Sequence, residues 1–166
     1  MPVPFFRVCL ALTLLPIGAT PRNPLYAQNC APEANKVVIR RFVEEAFTKK
    51  NLAIFDTLVA PDLRINGREI GRDGFRQSVA DLHHVWADLR TDIRLMVAEG
   101  DLVATYLAGS GTQVGPFAGI QPTGRRVHWD GMTISRIENG KIQERWSVFD
   151  WDEVFRQLTA APGRGN

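Results

Sequence analysis

The sequence predicts an α+β domain in which a curved antiparallel sheet packs over a layer of helices. Three observations carry this expectation. Apolar residues recur at three and four positions through the first half of the chain, and from Arg90 onward that period falls to two. The alternating runs are then separated by turn signals, Asn139-Gly140 above all. Helices segregated before hairpin-connected strands describe an α+β fold rather than an alternating α/β one.

The ends of the chain set the limits of that domain. Residues 1–27, MPVPFFRVCLALTLLPIGATPRNPLYA, place Arg7 before an apolar run from Val8 to Ile17 and finish in small residues, which is the plan of a secretory signal peptide. The run is shorter than the roughly 20 apolar residues of a membrane span. The expected protein is therefore secreted or periplasmic, with no stable membrane span after processing. Residues 28–32 form an N-terminal tail, 33–159 the domain and 160–166 a flexible C-terminal tail. Removing residues 1–27 from the 166 leaves 139, enough for one core and one domain.

The whole chain has 20 Lys and Arg against 18 Asp and Glu, and the leader takes away Arg7 and Arg22 but no acid. The resulting near-neutral charge excludes nucleic acid as the expected partner, because phosphate backbones are held by a surplus of cations. Of the two cysteines only Cys30 survives cleavage, so an intrachain disulfide is excluded and an inert thiol expected. Ala27-Gln28-Asn29, just before it, is a poor match to a lipoprotein cleavage site.

Each element has its own signal. Val38, Phe42, Val43, Ala46 and Phe47 give an amphipathic first helix, opened by Pro32 at its first turn. Asn51 caps a short second helix through Phe55, Leu58 and Val59, which Pro61 stops. Asn66-Gly67 turns "LRINGREI" into a small hairpin or loop. Asp73 caps a third helix with Phe75, Val79, Leu82 and Trp86 on one stripe. Ile93, Leu95 and Val97 then alternate in a strand, Glu99-Gly100-Asp101 turns the chain, and "LVATYLAGSGTQ" returns. A Gly/Pro-rich connection leads to "RVHWDGMTISRI", the Asn139-Gly140 turn, "KIQERWSVFD" and a last helix from Trp151 to about Leu158.

Chemistry-bearing residues are few. His83 and His84 are adjacent on a helix and point about 100° apart, and nothing has Cys/His ligand spacing, so no metal is expected. The glycines of "GPFAGIQPTGRR" do not follow a strand and open a helix, so that segment is a shaped loop and not a phosphate cradle. Four tryptophans, Trp86, Trp129, Trp146 and Trp151, serve either a core or an apolar pocket. Asp130, Glu144 and Asp150 on the last two strands, with His128, are the candidate acids and bases if burial tunes them.

The stretch "GPFAGIQPTGRRVHWDGMTISRIENGKIQERWSVFD", with "GIQPTGRR", "ISRIENGKI" and "ERW" followed by Asp as its most specific parts, resembles the SnoaL-like polyketide cyclase or ester cyclase family of the nuclear transport factor 2-like superfamily. The earlier segments "NKVVIRRFVEEAFTKKNLAIFDTLVAPDL" and "RDGFRQSVADLHHVWADLRTDI" are similar to its N-terminal half. The resemblance implies a cone-shaped barrel, its bent sheet wrapped around N-terminal helices and enclosing a deep, largely apolar cavity. It also implies aldol ring closure by a carboxylate base with no metal or organic cofactor. In the polyketide cyclases a His precedes the segment matching "ISR" and an Asp follows "GKI" by five residues. Here those places hold Thr133 and Ser147, and a hydroxyl cannot replace a carboxylate base.

Two registers of the last hairpin are open. A two-residue loop pairs Glu138 with Lys141 and sets Thr133 opposite Trp146, whereas a three-residue loop with a glycine bulge sets Thr133 opposite Ser147. The resemblance favours the second, with Thr133, Ser135, Arg145 and Ser147 facing inward to bind substrate beside Trp86. Ile134, Glu144 and Trp146 then lie on the other row. An outward apolar row of Ile142, Trp146 and Val148 would suit a homodimer. Three functions fit: an exported cofactor-independent cyclase, isomerase or hydratase acting on a small apolar molecule; a non-catalytic carrier or sensor with the same cavity; or a dimerising interaction domain.

Overall fold

The computed structural model describes residues 24–160. Apart from Pro24–Ala27 the signal-peptide reading lies outside the described residues, as does the C-terminal tail beyond Ala160. Helix α1 spans Pro24–Val43, so Pro24 takes the N-terminal place and Pro32 sits inside the helix instead of opening it. Ile39, Phe42 and Val43 bury one face, and a π-helical turn, Glu44–Thr48, carries that face on to Ala46. Phe55 on α2 (Ile54–Leu58) and Phe75 on α3 (Gly71–Val85) meet Phe42 at centroid distances of 5.2 and 5.7 Å, while Phe47 meets it edge-on at 5.8 Å. These rings join the helices into one layer. Ile70, not Asp73, occupies the cap position of α3.

Six strands follow in space as β2-β1-β6-β5-β4-β3. They are β1 (Val59–Ile65), β2 (Arg68–Glu69), β3 (Arg90–Glu99), β4 (Leu102–Thr112), β5 (Arg126–Glu138) and β6 (Lys141–Phe149). β1 and β2 form the Asn66-Gly67 hairpin. Pro61 lies within β1 instead of ending α2, and its exposure fits a strand position that does not need to donate. The sheet is open and mixed, because β1 runs parallel to β6. That corrects the expectation of an all-antiparallel sheet. A parallel pair is joined through distant chain and leaves no hairpin signal in the sequence.

Helix α4 (Trp151–Thr159) closes the end of the sheet. Asp150 Oδ1 accepts from Glu153 N at 3.0 Å as its cap, and Val154 and Leu158 are buried. The Gln157 amide grips β5 where β6 no longer covers it, donating to the His128 carbonyl at 2.7 Å and accepting from His128 N at 2.8 Å. The 113–125 connection is built around fully buried Gln113, which accepts from Thr123 N and Oγ1 and donates to the carbonyls of Gly115 and Ile120. The loop sets Phe117 against Trp86 and Trp151, at 5.3 and 5.5 Å between centroids.

Close approach, not turning, explains the small residues of β4 and β5. A Cβ on Gly109 would stand 2.2 Å from the Trp129 indole, and one on Gly131 2.2 Å from the Phe149 ring. The aromatic side chains lie flat against bare backbone, which recesses the inner face of the sheet at this end.

His83 joins α3 to the π-helical turn. Its Nε2–H donates to the Ala46 carbonyl at 2.8 Å, so Nδ1 is the unprotonated nitrogen, enclosed without a partner. Burial holds this imidazole below its ordinary 6.5, the bond to Ala46 opposing it and the nearby Lys50 and His84 adding to it. The unfolded chain therefore takes up a proton that the folded chain resists. The contribution is complete above about pH 6.5 and is lost as the pH falls below it. Thermal unfolding midpoints of the wild type should drop between about pH 7.5 and 5.5, and His83→Gln should flatten that drop. Identical pH profiles for the two proteins would contradict this role.

Candidate functional site

The β5–β6 hairpin positions the site. Asn139 and Gly140 both have positive φ, 51° and 74°, and form a two-residue turn that pairs Glu138 with Lys141 and Ile137 with Ile142. One extra residue in β6, Gln143, then shifts the register, so that Arg136 pairs with Glu144, Ser135 with Arg145 and Thr133 with Ser147. The pairing of Thr133 with Ser147 thus comes from a bulge inside the strand and not from a three-residue loop. The same bulge corrects the outward place expected for Ile142. That side chain is fully buried, with the helical layer, while Trp146 is half-buried and Val148 69 % exposed on the outer face.

Between the inner face and α3 lies a cavity of about 620 Å³. Phe75 and Leu82 of α3, Leu107, Trp129 and Phe149 of the sheet, and Trp151 at the head of α4 supply its apolar walls. Arg145 and Ser147 line it, with Asn66, Arg68, Ser78 and Thr91 as further polar residues. Thr133 and Ser135, 3 % and 1 % exposed, face the same side but lie outside the lining. Trp86 is also a backing residue, fully buried with its ring centroid 5.3 Å from Trp129. Trp129 and Trp151 are the tryptophans on the cavity. Trp129 could have been found by parity, since it shares the odd-numbered face of β5 with Thr133 and Ser135.

That parity also removes the expected acid/base groups. His128 and Asp130 stand on the exposed, even-numbered face of β5. Asp130 raises the Tyr106 hydroxyl through a hydrogen bond on that outer side. Glu144 faces Arg136 at 3.7 Å, and Asp150 is occupied as the cap of α4. None of the four lines the cavity.

Arg145 dominates the electrostatics. It is 4 % exposed, donates from Nε to Ser147 Oγ at 3.0 Å and lies with its guanidinium carbon 5.6 Å from the Phe75 centroid. Burial pushes it down to about 10, which leaves it protonated at neutral pH. Asn66 fixes the rim, its amide accepting from Ser147 N at 2.8 Å and donating to Ser147 O at 3.2 Å like one more rung of the β1–β6 ladder. Its φ of 49° suits Asn better than most side chains. Asn66→Ala should cost about 1–3 kcal/mol, read as a lower denaturant midpoint at unchanged slope.

The profile of the SnoaL-like polyketide cyclase family matches residues 37–158. No curated protein matches the chain. Among solved structures, TsrD from Streptomyces laurentii is 27 % identical with a TM-score of 0.71, the match covering 78 % of this chain and 97 % of that one. IdmH from Streptomyces antibioticus, described as a candidate polyketide cyclase, is 27 % identical with a TM-score of 0.67, covering 75 % and 97 %. AclR from Streptomyces galilaeus, described as a candidate hydroxylase, shares the fold at 24 % identity and a TM-score of 0.69, covering 78 % and 98 %. With its helical layer, its curved six-stranded sheet and a match over residues 37–158, the chain belongs to the SnoaL-like polyketide cyclase family.

Proposed function

We propose that this protein is an exported, homodimeric member of the family that binds a small apolar molecule in its cavity without closing a ring. The observation that carries the reading is the lining itself. Its walls are mainly apolar, and its ionisable side chains are Arg68 and Arg145. Proton abstraction from carbon needs a group that can accept a proton near neutral pH, and an arginine cannot. Thr133 and Ser147, in the places where the polyketide cyclases resemble one another in carrying His and Asp, support the same conclusion. The size of the cavity falls within the range of small-molecule sites.

The outer face supports the homodimer. Pairing across four strands sets Leu95, Tyr106, Met132 and Val148 in one row and Val97, Ala104, Ile134 and Trp146 in the next. Leu95, Val97, Met132 and Val148 are each more than half exposed, an apolar patch of the kind that marks a contact. A second copy meeting this face would cover both rows.

Fluorescence of Trp129 and Trp151 should change saturably on titration with a neutral polycyclic ester, with no product formed. Turnover by the natural chain would restore the cyclase, isomerase or hydratase reading. In sedimentation at micromolar concentration the wild type should run as two chains and Trp146→Glu as one; a monomeric wild type rejects the dimer. Protein recovered outside the cytoplasm should begin near Gln28, and recovery of intact Met1 protein inside the cell would refute export.

A further inference from the structure

The cavity contains a buried cation that the protein does not neutralise. Less buried arginines of the same domain have carboxylates beside them, as where Arg76 reaches Asp56 at 2.6 Å and Arg136 reaches Asp101 at 2.7 Å. Arg145 is far more enclosed than either, yet among the described residues no carboxylate pairs with it, and burial is the one influence on its ionisation. Its Nε is satisfied by Ser147 Oγ, and the Phe75 ring gives weak compensation at 5.6 Å. The two Nη groups carry four N–H bonds, and no protein acceptor takes them among the described residues.

The surroundings repeat the pattern. Ser135 pairs in register with Arg145, and Thr105 pairs with Thr133, itself opposite Ser147. Ser135 Oγ and Thr105 Oγ1 are enclosed without a hydrogen-bond partner. A polar patch with unmade hydrogen bonds therefore runs across three strands beneath an apolar chamber. Burying an unpaired charge is costly, and a ligand that paired with it would offset that cost.

The geometry points to a ligand that is a monoanionic carboxylic acid, its carboxylate taken by the free Nη edge of Arg145 and its apolar body lying along Trp129, Phe149 and Leu107. A planar carboxylate matches the fork of a guanidinium. One buried cation matches one negative charge; a phosphate dianion would bring a second charge with only exposed Arg68 at the rim to meet it. This inference rests on the pocket reading above and refines it from an apolar molecule to an apolar acid.

The full chain is titrated with naphthalene-2-carboxylate, its methyl ester and 2-naphthyl phosphate at about pH 7, by tryptophan fluorescence and calorimetry. The carboxylate should bind at least about tenfold more tightly than the ester, in keeping with a charge-assisted pair. Arg145→Met should abolish that preference while ester binding persists, and Arg145→Lys should retain part of it. Because the cation is uncompensated, Arg145→Met should also unfold at the same or a higher temperature than the wild type; a large fall in stability with no change in preference would make Arg145 a structural cation and overturn the inference. Equal affinity of the wild type for acid and ester overturns it while leaving the pocket reading intact, a result that needs no variant to fold. Tighter binding of the phosphate overturns the assignment to a carboxylate. Failure of all three probes to bind overturns this inference and the pocket reading together.

Discussion

The face that β6 turns to the cavity depends on one extra residue, Gln143. A strand alternates its faces with a period of two, so a single inserted residue exchanges the faces of everything beyond it. Before the bulge, Ile142 points into the helical layer, where burial of such a side chain contributes about 1.5–3 kcal/mol. After it, Arg145 and Ser147 point into the cavity and Trp146 points away. Without Gln143, Glu144 and Trp146 would occupy the inner face whenever Ile142 did. The bulge lets one strand meet two demands: an apolar core near the turn and a polar patch deeper in the sheet. β3 uses the same device. A register shift at Arg94 leaves Ile93 packed on the core while Leu95 and Val97 face out, although all three look equivalent in sequence.

The cavity persists because the sheet is thin where the tryptophans lie. Gly109 and Gly131 allow Trp129 and Phe149 to rest on backbone, and Gly111 does the same under the Cβ of Trp86. Larger residues there would push the rings into the chamber, and overpacking of that kind typically costs about 1–3 kcal/mol. The aromatic stack then continues through Trp151 to Phe117, so the wall of the site, the closing helix and the 113–125 connection form one unit. A side chain far from the cavity such as Gln113, by shaping the loop that presents Phe117, supports the wall at one remove.

How far the sequence could be read follows from these devices. The change of period at Arg90 and the Asn139-Gly140 turn were legible, because periodicity and turn chemistry are local, whereas the inward set Thr133, Ser135, Arg145 and Ser147 followed from the family resemblance and not from the local pattern, whose more apolar row is the other one. The bulges were not, since an extra residue has no signature until its partner strand is known. That is why Ile142 was expected outside and Leu95 beside Ile93. Parity within β5 already contained the correction for Asp130 and His128, because Thr133 inward puts every even-numbered residue outward. Trp86 was harder to place, since a fully buried ring and a cavity-lining ring read alike in sequence, and only the depth of the glycine-backed chamber assigns Trp129 to the surface of the pocket. The parallel β1–β6 contact, which brings Asn66 to Ser147, joins residues far apart in the chain and leaves no local trace.

A hydroxyl rather than a carboxylate at Ser147 determines more than the supply of a base. Ser147 Oγ sits 3.0 Å from Arg145 Nε, on the same face of the same strand. A carboxylate in that place would pair with the guanidinium, and the buried patch would be close to neutral overall. With a hydroxyl, one hydrogen bond remains and the positive charge is left uncovered within walls that are mainly apolar. In such surroundings Coulomb interactions are far stronger than in water, so an unneutralised cation exerts a large attraction on any anion that can enter. The same position can thus carry proton transfer when it bears an acid, and expose a charge when it does not. The fold is indifferent to the choice, because the Asn66 clasp and the Gln143 bulge hold β6 through its backbone and register. What changes is the chemistry that the scaffold presents to the chamber.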